Sequence, residues 1–181
     1  MGGNASGEIR VYCDCAGEAK HPIVKVLRGW FMNRDANIAL SDKNRMRMVE
    51  DEKNIDLRVL TRAFGVEKNA DGTIAAVKAL DLRGNRVVRF VSPLFCDATG
   101  DGWVGYCAGA DWRMGREERK SWNTYDHVGR FWIPYRSIYS RNVGNLFVVG
   151  RCFSCSHVGL GAPRVISTLS QLGVAAGEAA A

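Results

Sequence analysis

Two stretches of the chain combine residue types that could do chemistry. The first is near the end, where Gly150-Arg151 is followed by Gly159-Leu160-Gly161-Ala162-Pro163-Arg164. The two arginines place fixed positive charge on both sides of a loop whose glycines let backbone approach a ligand closely. If a helix opens at Pro163, its unpaired N–H groups and partial positive charge add to an anion site. A phosphate-bearing or otherwise anionic cofactor fits this arrangement. So does an ordinary strand–loop–helix corner, because loose Gly-rich loops are common. The second stretch is Asp97-Ala98-Thr99-Gly100-Asp101-Gly102, a small-residue loop directly after the apolar Leu94-Phe95-Cys96. Its glycines again permit backbone contact with a ligand. Its carboxylates, Asp97 and Asp101, are candidate metal ligands, but a calcium loop needs further oxygen ligands at regular spacing, and these are missing.

The six cysteines add little catalytic signal. One Cys-x-x-Cys (Cys152, Cys155), one Cys-x-Cys (Cys13, Cys15) and three distant histidines do not match zinc-knuckle spacing. The Cys152–Cys155 pair runs into Ser-His-Val-Gly-Leu-Gly and opens no helix, so nothing there lowers a thiol pKa as in a redox dithiol. Small reduced thiols are the expectation. His157 is the one histidine close to the glycine-rich end. It reads either as a functional group or as a structural hydrogen-bonder.

The elements that must position these residues follow from periodicity. The all-apolar run Leu146-Phe147-Val148-Val149 predicts a strand buried on both faces, as in a parallel sheet. Val165, Leu169, Leu172 and Ala176 recur at helical steps, which predicts a helix after Pro163. Apolar residues also recur at helical spacing over Pro22–Met32, weakened by Gly29. Ser41 can cap a surface helix running to about Lys53, with Asp42 favourable in its first turn. Ile55–Leu60 alternates and predicts a strand. Asn69-Ala70-Asp71-Gly72 predicts a turn, and Thr73–Leu82 a second strand with Ile74, Ala76 or Val77, and Leu80 in the core. Arg83-Gly84-Asn85 turns into a third strand, Arg86–Val91, which Pro93 ends. Trp103–Ala110 reads as a short helix, Arg113–Lys120 as a solvated charged segment. The aromatic run Trp122–Tyr139 reads as a ring- or base-stacking surface or as a strand packed on the sheet.

With 181 residues and 46% hydrophobic content, the chain can build one sizeable core. Its net charge of +6 is scattered and forms no basic stripe. An anionic ligand therefore ranks ahead of nucleic acid. No apolar run reaches membrane-spanning length, and the opening residues carry no signal-peptide pattern. The compartment stays open, with the cytoplasm as default.

Together these pieces resemble the FAD-dependent oxidoreductases of the two-dinucleotide-binding-domain flavoprotein type. Gly2-Gly3-Asn4-Ala5-Ser6-Gly7 through Val11 resembles the loop after that family's second strand. Val59 through Phe95 resembles its inserted meander, and Phe95 through Gly102 its Ala-Thr-Gly loop. Ile133 through Arg151, with His157, Gly161, Arg164 and Gly177, resembles the closing FAD segment. The resemblance implies an α/β fold: a partial FAD-binding Rossmann-like domain with a small antiparallel β-meander, forming one incomplete domain over 1–181. Within it, 55–92 would be the meander, 93–102 the Asp-Ala-Thr-Gly loop, and 133–181 the closing strand–loop–helix. It implies FAD as cofactor and hydride or electron transfer with a small-molecule substrate, and no nucleic-acid or membrane partner.

By the same resemblance, Gly2, Gly3, Asn4, Ala98, Thr99, Gly100, Gly150, Arg151, Gly161 and Arg164 would bind the cofactor, and His157 would lie near the flavin. Arg151 stands where many relatives carry an acidic residue. The chain lacks the family's opening strand with its Gly-x-Gly-x-x-Gly turn and a long substrate-domain segment, so it resembles a shortened relative. That shortening implies that the chain by itself binds FAD weakly or not at all. It also implies a closing strand, Leu146–Val149, lacking a neighbour and inviting a homo-oligomer or a partner chain. The alternative is a non-catalytic folded remnant or a partner-dependent domain.

Overall fold

The computed structural model describes residues 41–112, 132–155, 160, 163 and 166–181. Helix α1, Asp42–Glu50, opens where the side-chain oxygen of Ser41 accepts the Asn44 N–H at 3.3 Å. It stops three residues short of the predicted end and buries none of its residues, as its thin apolar content predicts.

The meander consists of β1 (Thr61–Lys68), β2 (Ile74–Asp81) and β3 (Arg86–Phe90), paired antiparallel in that order. Its two turns are fixed by carboxylates. Asp71 accepts the backbone N–H of Thr73 at 2.9 Å and its hydroxyl at 2.6 Å. Asp81 accepts the N–H groups of Arg83 at 3.1 Å and Gly84 at 3.2 Å. Such Asx turns reverse the chain locally, before any distant contact forms.

The first strand is displaced from its predicted place. Ile55–Leu60 is turn and coil; Ile55 and Leu60 are exposed, and Leu60 sits at φ 55°. A branched apolar residue in that region breaks an extended run. Ile55 and Leu60 lie at the surface, whereas Ala63 and Val66 of β1 pack on the core. In β2 both Ala76 and Val77 are buried, and Ala79 replaces Leu80 as the core residue near its end. Irregular pairing within β1, after Ala63 and again after Glu67, breaks the simple two-residue alternation.

Strand β4 (Phe95–Asp97) pairs parallel with β5 (Leu146–Val148), Phe95 facing Leu146 and Asp97 facing Val148. On the other side of β5, Tyr139 forms an antiparallel bridge to Phe147, with the Val148 N–H donating to Ile138 O at 2.8 Å and Ser140 N–H to Leu146 O at 2.8 Å. The closing strand therefore has neighbours on both edges, contrary to the expectation of an unpaired one. The extended approach of Ile138–Ser140 supplies the missing ladder.

Helix α2, Trp103–Ala108, follows β4, and helix α3, Ile166–Ala180, ends the chain. One apolar cluster joins Ile74 and Val77 of the meander, Val104 and Ala108 of α2, and Val143 and Leu146. A second joins Ile138, Val149 and Phe153 to Leu172 and Ala176 of α3. The β5 segment thus has the meander and α2 on one face and α3 on the other, which is why it reads as an uninterrupted apolar run. The mixture of helices, an antiparallel sheet and a parallel pair is that of a partial Rossmann-like α/β domain.

Candidate functional site

Two loops leave the carboxyl ends of the parallel pair: Ala98–Gly102 after β4, and the 3-10 turn Gly150–Cys152 one residue after β5. In open α/β sheets ligands bind beyond the carboxyl ends of the strands. The two loops meet there. Arg151 donates from Nε to Gly100 O at 2.9 Å and from Nη2 to Asp101 Oδ1 at 2.7 Å. Both side chains of that ion pair are largely solvent-exposed, so its strength is modest and its value lies in geometry.

The loop after β4 is built on Asp97, which is fully buried. Its Oδ1 accepts the Thr99 N–H at 2.9 Å and the Thr99 hydroxyl at 2.7 Å, and its Oδ2 accepts the Gly105 N–H at 2.8 Å. The Thr99 hydroxyl oxygen in turn accepts the Trp103 N–H at 3.0 Å. A buried carboxylate is tolerated when it is hydrogen-bonded in this way. The first turn of α2 is therefore occupied by protein oxygens. Asp97 is a loop organiser, and Asp101 is held by Arg151. Among the described residues no cluster of three His, Cys, Asp or Glu side chains could hold a metal ion.

Three glycines in these loops adopt positive φ: Gly100 (83°), Gly102 (68°) and Gly150 (65°). A Cβ built on Gly102 or Gly150 would meet nothing within 4 Å. These positions thus need glycine for backbone conformation and leave the backbone open to a ligand.

Cys152 lies between the loops. Its sulfur accepts the Gly102 N–H at 3.1 Å, and its thiol faces Asp97 Oδ1 at 4.0 Å. Burial, reinforced by the Asp97 charge, pushes this thiol above its ordinary pKa. Burial also raises Cys96 and Cys155. All three are free thiols, and the upward shift favours their protonated form.

Of the residues singled out from sequence, the structure brings Ala98, Thr99, Gly100, Gly150 and Arg151 to one place. Gly2, Gly3, Asn4, His157, Gly161 and Arg164 lie outside the described residues, as do Cys13, Cys15 and the charged segment Arg113–Lys120. Thr99 uses both its N–H and its hydroxyl within the loop. Sequence reasoning weighed Asp97 as a metal ligand and set that aside for want of further oxygen ligands, read Cys152 as a small reduced thiol, and missed both as loop-shaping groups. The Asp97-x-Thr99 spacing, an Asx-turn signature, was the available signal for Asp97.

A model of the FAD dependent oxidoreductase family matches the chain over residues 36–125 and 120–181. No curated protein and no solved structure matches it. The chain belongs to the FAD dependent oxidoreductase family, and FAD is the cofactor of that family. The two matched segments meet at residues 120–125 and include both site loops, the meander and α3. The residues present fit such a cofactor: glycine backbone open to close approach, at the carboxyl end of a parallel pair, beside a guanidinium.

Proposed function

We propose that the crevice bounded by Ala98–Gly102 and Gly150–Cys152 holds FAD, and that the chain takes part in hydride or electron transfer between a small organic substrate and that cofactor. The observation that carries this reading is the convergence of two positive-φ glycine loops at the carboxyl ends of β4 and β5, bridged by Arg151. FAD, when bound, supplies the two-electron acceptor. The chain's own groups bind and orient. Gly102 and Gly150 let the backbone approach, and Arg151 holds the two loops at a fixed separation while adding positive charge at the rim. Asp97 and Thr99 keep the loop in shape from beneath. In this reading Gly2, Gly3, Asn4, Gly161 and Arg164 complete the cofactor contacts, and His157 moves a proton near the flavin.

Titration of the purified chain with FAD, read by the shift and fine structure of the flavin absorbance bands, tests this. Saturable binding that Gly150→Ala and Arg164→Ala weaken supports the assignment. For Arg164→Ala a roughly ten- to hundredfold loss is expected for a charge-assisted contact. A chain that leaves the free-FAD spectrum unchanged at every concentration would refute it.

A second reading, a folded domain that works only against a partner chain or a second copy, draws support from the meander's outer edge. Val87 and Phe90 of β3 and the following Val91 are exposed there. Light scattering separates the two readings: a monomer that binds FAD favours the first, and an assembly without FAD the second.

A further inference from the structure

We propose that Cys152 is a positioning residue for the cofactor: its sulfur is the post on which the Asp97–Gly102 loop closes, and the shape the loop offers to FAD depends on it. This rests on the reading that the crevice between the two loops holds FAD.

Three observations converge on this sulfur. The Gly102 N–H points at it from 3.1 Å, which is within reach for an acceptor as large as sulfur. The thiol faces Asp97 Oδ1, the oxygen that also holds both polar groups of Thr99. Finally, Cys152 directly follows Arg151, whose guanidinium grips Gly100 O and Asp101 from outside. Two adjacent residues of the closing segment therefore clasp the loop, one from its rim and one from within. Gly100 and Gly102, the two positive-φ glycines of the loop, are the residues so held. The raised pKa keeps the thiol protonated, so it can accept from the loop and still face Asp97 with its S–H. A redox partner is not required by this role. Cys155, three residues on, is exposed and serves as the internal control.

The experiment measures FAD affinity for the wild-type chain, Cys152→Ala, Cys152→Ser, Cys155→Ala and Gly150→Ala. It adds the visible circular dichroism of the bound flavin at saturating FAD, and the rate at which iodoacetamide labels residue 152 with and without FAD. Loss of one organising acceptor predicts a roughly tenfold weaker affinity for Cys152→Ala and an altered flavin dichroism. Cys152→Ser, which keeps an acceptor and a donor, recovers most of the affinity, and Cys155→Ala changes it less than about twofold. FAD shields Cys152 from alkylation in the wild type. Wild-type affinity and dichroism in Cys152→Ala overturn the inference. So does an equal loss in the Ser and Ala variants that merely tracks their thermal midpoints. Should Cys152→Ala not fold, absence of shielding of Cys152 by FAD in the wild type overturns it as well. If Gly150→Ala weakens FAD while Cys152→Ala does not, only this inference fails. If neither variant changes binding, or the wild type binds no FAD, the crevice assignment fails with it.

Discussion

The hairpin between β1 and β2 reverses within Asn69–Thr73, whereas the contact that joins the two site loops, Arg151 to Gly100, spans 51 residues of chain. The meander is held by neighbours in sequence: Asx turns and two antiparallel ladders, regular between β2 and β3 and with two register shifts between β1 and β2. The parallel pair has only three residues per strand and is held by single residues that reach far. Asn145 is the clearest of these. Its side-chain amide accepts the Ile74 N–H at 2.9 Å and donates to Ile74 O at 2.9 Å and Pro93 O at 3.2 Å. It extends β2 as a strand would. Asn142 plays a similar part, accepting the Asp111 N–H at 2.9 Å and donating to Gly109 O at 2.8 Å. One region is redundant and local, while the other, which carries the candidate site, depends on a few long-range polar contacts. The loss of a single side chain should therefore matter far more in the second region than in the first.

Removal of Asp97 should break this contrast most sharply. Asp97→Ala leaves the buried Gly105 N–H and the part-buried Thr99 N–H without their acceptor. A cost of about 3–5 kcal/mol is expected, since each orphaned buried donor costs about 1–3 kcal/mol. Urea denaturation measures it, and a loss below about 1 kcal/mol would show that the loop does not depend on this carboxylate.

Asn145→Ala comes next. It removes the polar tie between β5 and the meander and leaves Ile74 N–H unpaired, for an expected cost of about 2–3 kcal/mol. Hydrogen exchange at Ile74 should speed up while Lys78 and Ala79, in the middle of β2, keep their protection. Equal acceleration along all of β2 would mean that the meander and the parallel pair unfold as one unit.

Acidification should act on the meander turns. Asp71 is held below its usual pKa first by the Thr73 hydroxyl, and Asp81 first by the Gly84 N–H. A carboxyl depressed in the folded state contributes stability above its unfolded pKa, near 4, and that contribution is lost as pH falls through the folded value. The thermal midpoint should therefore be flat above about pH 5 and decline below about pH 4. Asp71→Asn should lessen that decline, and an unchanged acid profile would remove Asp71 from its cause.

The smallest effect is expected from the cross-strand ion pair of Arg89 with Glu67, which joins the outer two strands of the meander. The Arg89 charge lowers the Glu67 pKa through their hydrogen bond, but both groups face solvent and salt screens them. Arg89→Ala should leave the denaturation midpoint within experimental error. A clear shift would show that the meander, too, depends on single contacts.

The turns Asn69–Gly72 and Arg83–Asn85, the second and third strands, the Ser41 cap, the doubly buried β5 run and the helix of Leu169, Leu172 and Ala176 were all determined by local sequence. Each rests on turn chemistry, capping or periodicity, which act over a few residues. The glycines of the two loops were legible as positions of unusual backbone for the same reason. Only the tertiary structure decided that β1 starts at Thr61 and not at Ile55, because burial of Ala63 and Val66 needs α2 and β5 to lie over them. It decided that β5 is paired on both edges, since no local signal says that Ile138–Ser140 returns alongside it. It also decided the roles of Asp97, Asp101 and Cys152. In sequence these are two carboxylates short of a metal-ligand set and a thiol without a redox signature, and no structural role is assigned to them. In space Asp97 and Cys152 meet beneath one loop and Asp101 meets Arg151 at its rim, a juxtaposition that separations of about fifty residues leave to the packing of the whole domain.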